Sequence, residues 1–442
     1  MTSVLSRIEE LGVPCFLVGP GARSFVQNGS MGTVGIHEVF IVGSIDKILE
    51  DSSFRQIHER KSGHPYLLEW SDDQNPQWFT VRELRQNGET IEESVEMVLS
   101  NQLFRLDGIA VTSGGTIIDP LGARKDLESK TIRVNPETEL KFDGNPLHFL
   151  QACSLVSELG FRLSDSMHES IKSQATKVLY ARRTGWFREL TKVLCGPYVY
   201  DGLQVLYETR LLGLLLPEIE PMVGFAETSK YHHKDLWDHT RKVVQQAATW
   251  PLVRWAALLH DAGKVWTRTY SPPRGVHFFQ HEEMGAILVE GIGARFHMPE
   301  WFRKKLEFIV RYHQRPSAYA SKWTDSAVRR LIRECGPNLE PLLCLSEADI
   351  TSAIPQKRRE SERLSLELRN RVQLIIAKDN QQSPLPKGIG KQLIESLKLS
   401  PGPHIGQLKK HLEGLVETGV LEPHQGSEYY VLYLQGLPNL PV

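Results

Sequence analysis

The chain has 442 residues, a length typical of two to four domains. Hydrophobic residues make up 40% and charged residues 24%, as in an ordinary globular protein. No apolar run approaches the roughly 18–20 residues that span a bilayer, and the acidic N-terminal stretch does not resemble a secretory signal. Five widely spaced cysteines argue against a disulfide framework. We therefore expect a cytoplasmic protein without a membrane partner.

The net charge of −1 is unevenly distributed. Residues 1–140 carry 13 Lys and Arg against 21 Asp and Glu, a net charge of −8, whereas the remainder carries 39 against 32, a net charge of +7. The first part is therefore a poor polyanion binder. The rest can meet nucleic acid on a local patch, although not through bulk charge.

The first third of the chain has the pattern of a mixed α/β domain. A short helix is expected at Ser6–Leu11, before an apolar strand at Cys15–Val18 and the turn Gly19-Pro20-Gly21. A second strand is predicted at Val39–Val42, and a hairpin joins 108–111 to 116–118.

Helical periodicity dominates from Pro146 onward, with an apolar face that ends at Gly160. The polar segment 379–386 is typical of a linker. A small helical piece is predicted at 389–420, followed by a terminal strand at 429–434.

The strongest chemical signal is an apolar run that ends in His260-Asp261, followed by Gly263 and Lys264. Neighbouring residues on a helix diverge by about 100°, so an imidazole and a carboxylate in these positions can reach one ion only near a helix end. Gly263 supplies such an end.

Four further candidate ligands flank this pair. His239 and His281 lie at equal separations before and after His260, and His313 and Asp349 follow. Mixed nitrogen and oxygen ligands suit Mn, Ni, Co, Fe, Mg or Zn rather than a thiolate site. The alternative is a set of histidines that are solvated or satisfied within the core.

Residues 232–350 resemble the HD superfamily of metal-dependent phosphohydrolases, whose ligands run H…HD…D along a helical bundle. The resemblance implies that His239, His260, Asp261 and Asp349 hold a divalent metal. It also implies that His281 and His313 hold a second metal or the phosphate, and that Lys264 neutralises phosphate charge. One or two ions fit this set. Catalytic roles would fall to Asp261, Lys264, His281 and His313.

Four other segments resemble class II tRNA nucleotidyltransferases and bacterial poly(A) polymerases. These segments are 16–23, similar to LVGGAVRD; 117–133, similar to IIDPFGG…DL…IR; 146–161, similar to the PLR…RLGF neck helix; and 397–406, similar to LKPGPxIG. Bacterial members often carry an HD domain between neck and tail, so the resemblance covers most of the chain.

The catalytic motifs of that family are changed in the head. Its DxD pair aligns with Ile36–Phe40, which offers one carboxylate, Glu38, out of register. Leu103 stands where the third carboxylate belongs, and Pro20 replaces the second glycine of the phosphate turn. The base-selecting EDxxR segment appears as 144–148. These changes predict a head that does not transfer nucleotides, retained as a scaffold or an RNA-docking surface.

The resemblance implies a multidomain, mostly α-helical protein. The expected parts are an α/β nucleotidyltransferase-like head (1–135), a helical neck (136–228), an all-α HD domain (229–375) and a small helical tail (376–442). Basic and aromatic residues near His313, among them Trp301 and Arg315, favour an RNA partner or a solvated helix face.

From these observations we predict a metal-dependent phosphohydrolase with an inactive head. It would act on a phosphomonoester or a 2′,3′-cyclic phosphate, at an RNA 3′ end such as that of tRNA, or on a nucleotide. A bound metal lowers the pKa of water and polarises the phosphoryl oxygen. The alternatives are an active CCA- or poly(A)-adding nucleotidyltransferase whose carboxylates are misaligned, and a non-enzymatic RNA-binding protein. The pattern does not indicate the oligomeric state.

Overall fold

The computed structural model describes residues 3–30, 36–57, 65–72, 75–226, 235–272, 275–380 and 384–437. Two compact units divide the chain: Met1–Tyr319 with Cys335–Ser365, and Ala320–Glu334 with Leu366–Val442. None of the helices described is both long and apolar enough to cross a membrane.

The head is built on one seven-stranded sheet. Its strands are β1 (Cys15–Val18), β2 (Ile36–Val42), β3 (Phe54–Gln56), β4 (Tyr66–Asp72), β5 (Asn75–Leu84), β6 (Ala110–Thr112) and β7 (Ile117–Ile118), in the order β3-β4-β5-β2-β1-β6-β7. All neighbouring strands are antiparallel except β2 and β5, which are parallel.

Five helices accompany the sheet: α1 (Ser3–Glu10), α2 (Gly19–Asn28), α3 (Asp46–Leu49), α4 (Ile91–Ser100) and α5 (Ala123–Glu128). Helix α4 begins with a capping box, in which Thr90 and Glu93 each accept a backbone N–H of the other. Its buried Val95 and Leu99 pack against Phe16 and Phe40 of the sheet. This apolar layer holds β1 and β2 beneath the α2 turn.

The neck is helical, with a small parallel pairing of β8 (Thr131–Ile132) and β9 (Arg162–Leu163). Its helices are α6 (Glu139–Gly144), α7 (Leu147–Leu159), α8 (Asp165–Gln174), α9 (Arg183–Cys195), α10 (Val199–Glu208) and α11 (Leu211–Leu215). Helix α7 ends at Gly160, whose φ of 67° is left-handed and suits glycine.

The next part of the chain contains all six candidate ligands, within or directly after its helices. These are α12 (Leu236–Gln246), α13 (Pro251–Leu259), α14 (Lys264–Thr267), α15 (His281–Arg295), α16 (Glu300–Tyr312), α17 (Gln314–Ser317), α18 (Asp325–Cys335) and α19 (Leu339–Ala348). A hairpin of β10 (Thr269–Ser271) and β11 (Gly275–His277) lies between α14 and α15, so this region is not all-α as expected.

Helix α20 (Pro355–Asn380) leads to the tail helices α21 (Ile389–Leu397), α22 (Pro403–Glu417) and α23 (Ser427–Gln435). Short 3₁₀ helices lie at Arg105–Asp107, Pro136–Thr138, Ala175–Tyr180, Glu220–Met222 and Gly336–Asn338. Helix α20 extends into the predicted linker, of which residues 381–383 lie outside the described ranges.

The expected fold class is confirmed: a mostly helical, multidomain chain with an α/β head. The strand at Cys15–Val18 and the helix that stops at Gly160 match their predictions. The terminal strand predicted at 429–434 is wrong, because α23 occupies that segment. Tyr430 and Leu434 lie about one helical turn apart and are both buried in the tail core, so their spacing fits a helix that packs one face inward.

Candidate functional site

The candidate metal ligands lie at or next to helix ends. His260 follows the apolar helix α13 and is fully buried, and His281 is the first residue of α15. His313 follows α16 and Asp349 follows α19, whereas His239 lies in the first turn of α12. A side chain at a helix end can project beyond the end of the helix. Residues from five helices can therefore converge on one centre.

The Asp261 carboxylate lies between two groups of histidines. Its Oδ2 is 3.4 Å from His239 Nε2 and 3.1 Å from His260 Nε2. Its Oδ1 is 3.5 Å from His281 Nε2 and 3.8 Å from His313 Nε2. One carboxylate thus contacts all four imidazoles.

Asp349 completes the first of these groups, because its Oδ1 is 3.2 Å from His239 Nε2 and 3.6 Å from His260 Nε2. Donor atoms of His239, His260 and Asp349 all lie within 4.8 Å of one another, as do those of Asp261, His281 and His313. The structure therefore brings together all six residues that the sequence suggested as ligands.

The other ring nitrogen of each histidine is held away from the centre. The Nδ1 atoms of His260, His281 and His313 lie 2.9, 2.9 and 2.7 Å from backbone carbonyl oxygens of the preceding turn. His239 Nδ1 lies 2.9 Å from Thr351 Oγ1. A carbonyl accepts only from a protonated nitrogen, so in the neutral rings Nε2 presents its lone pair to the centre.

The electrostatics of this centre favour a cation. Burial lowers the pKa of His260, but Asp261 and Asp349 outweigh burial and raise that pKa to about 10. His313 has few such partners, so burial and the neighbouring His260 lower its pKa to about 4. Burial opposes ionisation of Asp261, yet His260 and Lys264 hold its pKa well below the usual range.

The donor set fits a divalent metal. His260 Nε2 is buried and, although the Asp261 carboxylate is near, makes no well-aligned hydrogen bond within the part of the chain described. A ring nitrogen is therefore aimed at the centre with its bonding capacity unused. Imidazole nitrogens with carboxylate oxygens suit borderline and hard divalent ions. We call the six candidate ligands together with Lys264 the HD centre.

Lys264 lies beside the candidate ligands, with Nζ 2.8 Å from Asp261 Oδ2 and 5.7 Å from the centre of the Phe278 ring. The HD centre opens into a cavity of about 390 Å³. Besides the candidate ligands, the lining of this cavity is rich in hydroxyl groups, contributed by Ser317, Tyr319, Ser346, Thr351, Ser352, Ser361 and Ser365.

A second cavity, of about 360 Å³, lies between the head and the first long neck helix. Its walls include Glu38 of β2, Asp107 of a 3₁₀ helix and Glu158 of α7, together with Arg23 of α2. We call this the head cavity. Arg23 is almost fully buried and donates to both Asp107 and Glu158, the latter at 2.8 Å.

The head cavity gathers carboxylates from separate parts of the chain. Glu38 and Phe40 both line it, since alternate residues of a strand share a face. Leu103 is not among the residues that line it, but Asp107, slightly later in the chain, is. Glu38, Asp107 and Glu158 therefore place three carboxylates in one cavity.

Sequence reasoning missed Asp107 and Glu158. Burial raises the pKa of Asp107 although Arg23 opposes that rise. The only sequence signal was Arg23 itself, a cation within an otherwise buried stretch of α2 that requires carboxylate partners.

Two family models match parts of the chain. Residues 236–354 match the HD domain, and residues 160–223 match the probable RNA and SrmB-binding site of polymerase A. The first range contains every residue of the HD centre, and the second covers α8–α11 of the neck.

Curated relatives are tRNA nucleotidyltransferases. The A-adding tRNA nucleotidyltransferase of Deinococcus radiodurans is 28% identical over 81% of this chain and 84% of its own length. The CC-adding enzyme of Thermus thermophilus is 27% identical over 78% and 79%, respectively. A crystal structure of the Bacillus stearothermophilus CCA-adding enzyme with CTP superposes with a TM-score of 0.54 at 20% identity, covering 98% of this chain and 95% of that one, which establishes a shared fold.

These relatives contradict the prediction of a phosphohydrolase with an inactive head, because they are named for the transfer of nucleotides to tRNA. They favour the alternative of an RNA nucleotidyltransferase. The expected resemblance to class II tRNA nucleotidyltransferases and bacterial poly(A) polymerases is confirmed by the matched domains, the relatives and the fold together. This chain contains an HD domain, matches the RNA-binding model of polymerase A over part of its neck, and is similar to tRNA nucleotidyltransferases over most of its length.

Proposed function

We propose that this chain is an RNA nucleotidyltransferase that extends the 3′ end of a tRNA. The observation that carries the proposal is the head cavity, in which Glu38, Asp107 and Glu158 share a space of about 360 Å³ with Arg23. The relatives that add A or CC to tRNA support the same class of reaction.

In this reaction the 3′-hydroxyl of the RNA attacks the α-phosphorus of a nucleoside triphosphate, and pyrophosphate leaves. Glu38 and Asp107 would hold a divalent cation, since Mg²⁺ prefers oxygen ligands. Such a cation would neutralise the negative charge of the triphosphate. Arg23 and Lys192 line the same cavity and would bind the triphosphate oxygens.

Arg23 is at present shared between two carboxylates. When a triphosphate enters, its oxygens compete with Asp107 and Glu158 for the guanidinium. Release of Asp107 from Arg23 would make that carboxylate available to a cation. The ion pair thus offsets part of the negative charge of the cavity before substrate binds.

We further propose the domain assignment 1–135, 136–228, 229–375 and 376–442 for head, neck, HD domain and tail. The neck would dock the RNA partner, in line with the RNA-binding model that residues 160–223 match. Five free cysteines fit a reducing cytoplasm.

The HD centre favours a second activity beside nucleotide transfer, namely metal-dependent hydrolysis of a phosphate ester. We propose that His239, His260 and Asp349 would hold one ion and that Asp261, His281 and His313 would hold a second. A bound metal supplies activation of water and polarisation of a phosphoryl oxygen. Lys264, at the edge of the cavity, would bind the phosphate of a nucleotide or RNA end.

The transfer reaction is tested with labelled ATP or CTP, Mg²⁺ and tRNA that lacks its terminal nucleotides. Wild type is expected to extend the 3′ end, and Glu38→Gln and Asp107→Asn are expected to lower the rate at least tenfold. Glu96→Gln, an exposed carboxylate on α4, is the matched control and retains activity. Absence of extension by the wild type refutes the proposal.

The HD centre is tested separately by a phosphatase screen with Mn²⁺, Ni²⁺, Co²⁺ and Mg²⁺. Asp261→Ala should abolish phosphate release and leave 3′ extension intact. Equal phosphate release by wild type and variant would show that another centre is responsible.

A further inference from the structure

The segment between Asp261 and Glu282 differs in composition from its surroundings. It contains basic side chains and several aromatic rings, and no acidic residue. It forms α14 and the β10–β11 hairpin, inserted directly between two candidate ligands of the HD centre. A segment that is both cationic and aromatic, placed next to the HD centre, is a candidate binding surface.

Three large rings of this segment face solvent. Trp266 is 55% exposed, Tyr270 is 68% exposed and Phe279 is 64% exposed. A single exposed ring is ordinary, but three exposed rings lie in this one short segment, whose two strands pair at Thr269 and His277, as is typical of an interaction surface.

A second, inner layer of rings holds the cations of the segment in place. The ring centres of Phe225 and Phe278 lie 6.1 Å apart, with Arg268 over the first ring at 5.2 Å and Lys264 over the second at 5.7 Å. A cation–π contact keeps the charge of Arg268 in place, while Lys264 is held both by its ring and by Asp261. The segment therefore combines exposed rings with two positioned cations.

We propose that Trp266, Tyr270 and Phe279 form a stacking surface for unpaired nucleotides of an RNA strand. Bases stack on exposed aromatic rings irrespective of sequence, while neighbouring cations neutralise the phosphates between them. The absence of any acidic residue between Asp261 and Glu282 favours a polyanion over a protein partner.

The segment adjoins the HD centre. Lys264 connects the two, with Nζ 2.8 Å from Asp261 Oδ2, and His281 follows soon after the hairpin. A strand stacked on the hairpin would therefore lie beside the HD centre. The inference rests on RNA as the substrate class under the proposed function, but it requires neither extension nor hydrolysis.

Binding is tested with the full chain and a short fluorescein-labelled oligocytidylate, followed by fluorescence anisotropy. Trp266→Ala, Tyr270→Ala and Phe279→Ala are each expected to weaken binding roughly fivefold or more. Tyr270→Phe keeps the ring and should bind as the wild type does. Trp250→Ala, a 48% exposed tryptophan outside this segment, is the matched control.

Cross-linking locates the strand independently of affinity. An oligonucleotide with a terminal 4-thiouridine should cross-link to the segment from Trp266 to Phe279, and the triple alanine variant should lose that product. Unchanged affinity of the triple variant, or cross-links only to other segments, overturns the proposal. If the wild type forms a dimer that the triple variant loses, and RNA affinity is unchanged, the three rings would instead bind a second copy of the chain. Failure of 3′ extension alone affects the proposed function and not this surface.

Discussion

A methyl group on Gly263 would lie 2.0 Å from the carbonyl oxygen of His281. It would also lie 2.8 Å from the backbone nitrogen of Gly285, one turn further along α15. The turn after His260-Asp261 therefore packs directly on the first turn of α15, with no room for a side chain. This close approach brings the turn that follows Asp261 directly against His281.

Replacing Gly263 by alanine is expected to separate these segments. The overpacked methyl group should lower the free energy of unfolding by about 1–3 kcal/mol, and metal affinity should fall because Asp261 moves relative to His281. Thermal unfolding and metal content of the purified protein measure the two effects.

Gly291→Ala is the matched control for that change, because Gly291 is exposed on the same helix and its added methyl group meets no atom within 4 Å. Alanine should there be neutral or stabilising by about 0.4–1 kcal/mol. Similar losses in both variants would show that the approach of Gly263 to His281 is unimportant.

Asp261→Asn should remove metal from the HD centre while the side chain keeps its shape. The carboxylate faces four imidazoles, and an amide supplies neither its charge nor two equivalent acceptors. Metal content by mass spectrometry should fall to background, and a chelator should lower the melting temperature of the wild type but not of the variant. Asp201→Asn, on the exposed side of α10, should retain metal; equal loss in both variants would contradict the assignment.

The convergence of the candidate ligands of the HD centre was predictable because several of their positions depend on local features of the sequence. An apolar helix that stops before His260-Asp261 fixes those two side chains at a helix end, and Gly263 marks the turn. Buried Asp261 then requires partners, and histidines at regular separations are the natural candidates. Sequence could not give their distances, which depend on how five helices pack.

The head carboxylates were not predictable in this way. Arg23 contacts Asp107 and Glu158 across 84 and 135 residues, respectively, so no local spacing reports the contacts. The strand predicted at 429–434 was wrong for a related reason. Its Tyr- and Val-rich composition favours a strand, but burial of Tyr430 and Leu434 in the tail core stabilises a helix instead.

Glu218→Gln should destabilise the chain through Arg295, at the end of α15. Arg295 donates to the two oxygens of Glu218 at 2.8 and 2.6 Å, a bidentate pair that is mostly buried. Loss of one charge from such a pair should cost about 1–3 kcal/mol, measured by chemical denaturation. Glu300→Gln breaks an exposed pair with Lys304 and should leave the midpoint unchanged. Equal shifts in the two variants would argue against a special role for the buried pair.

Cys15 and Cys153 should resist alkylation in the native protein. Burial raises the pKa of each thiol to about 12, so the reactive thiolate is scarce at pH 7 and remains scarce at pH 9. Both side chains are also almost fully buried. Mass spectrometry after iodoacetamide treatment should find these two residues unmodified until denaturant is added, when each is labelled within minutes. Native labelling of Cys15 that is rapid at pH 7 and levels off above about pH 8.5 would instead indicate an accessible thiol of ordinary pKa, and would place β1 outside the protected core of the head.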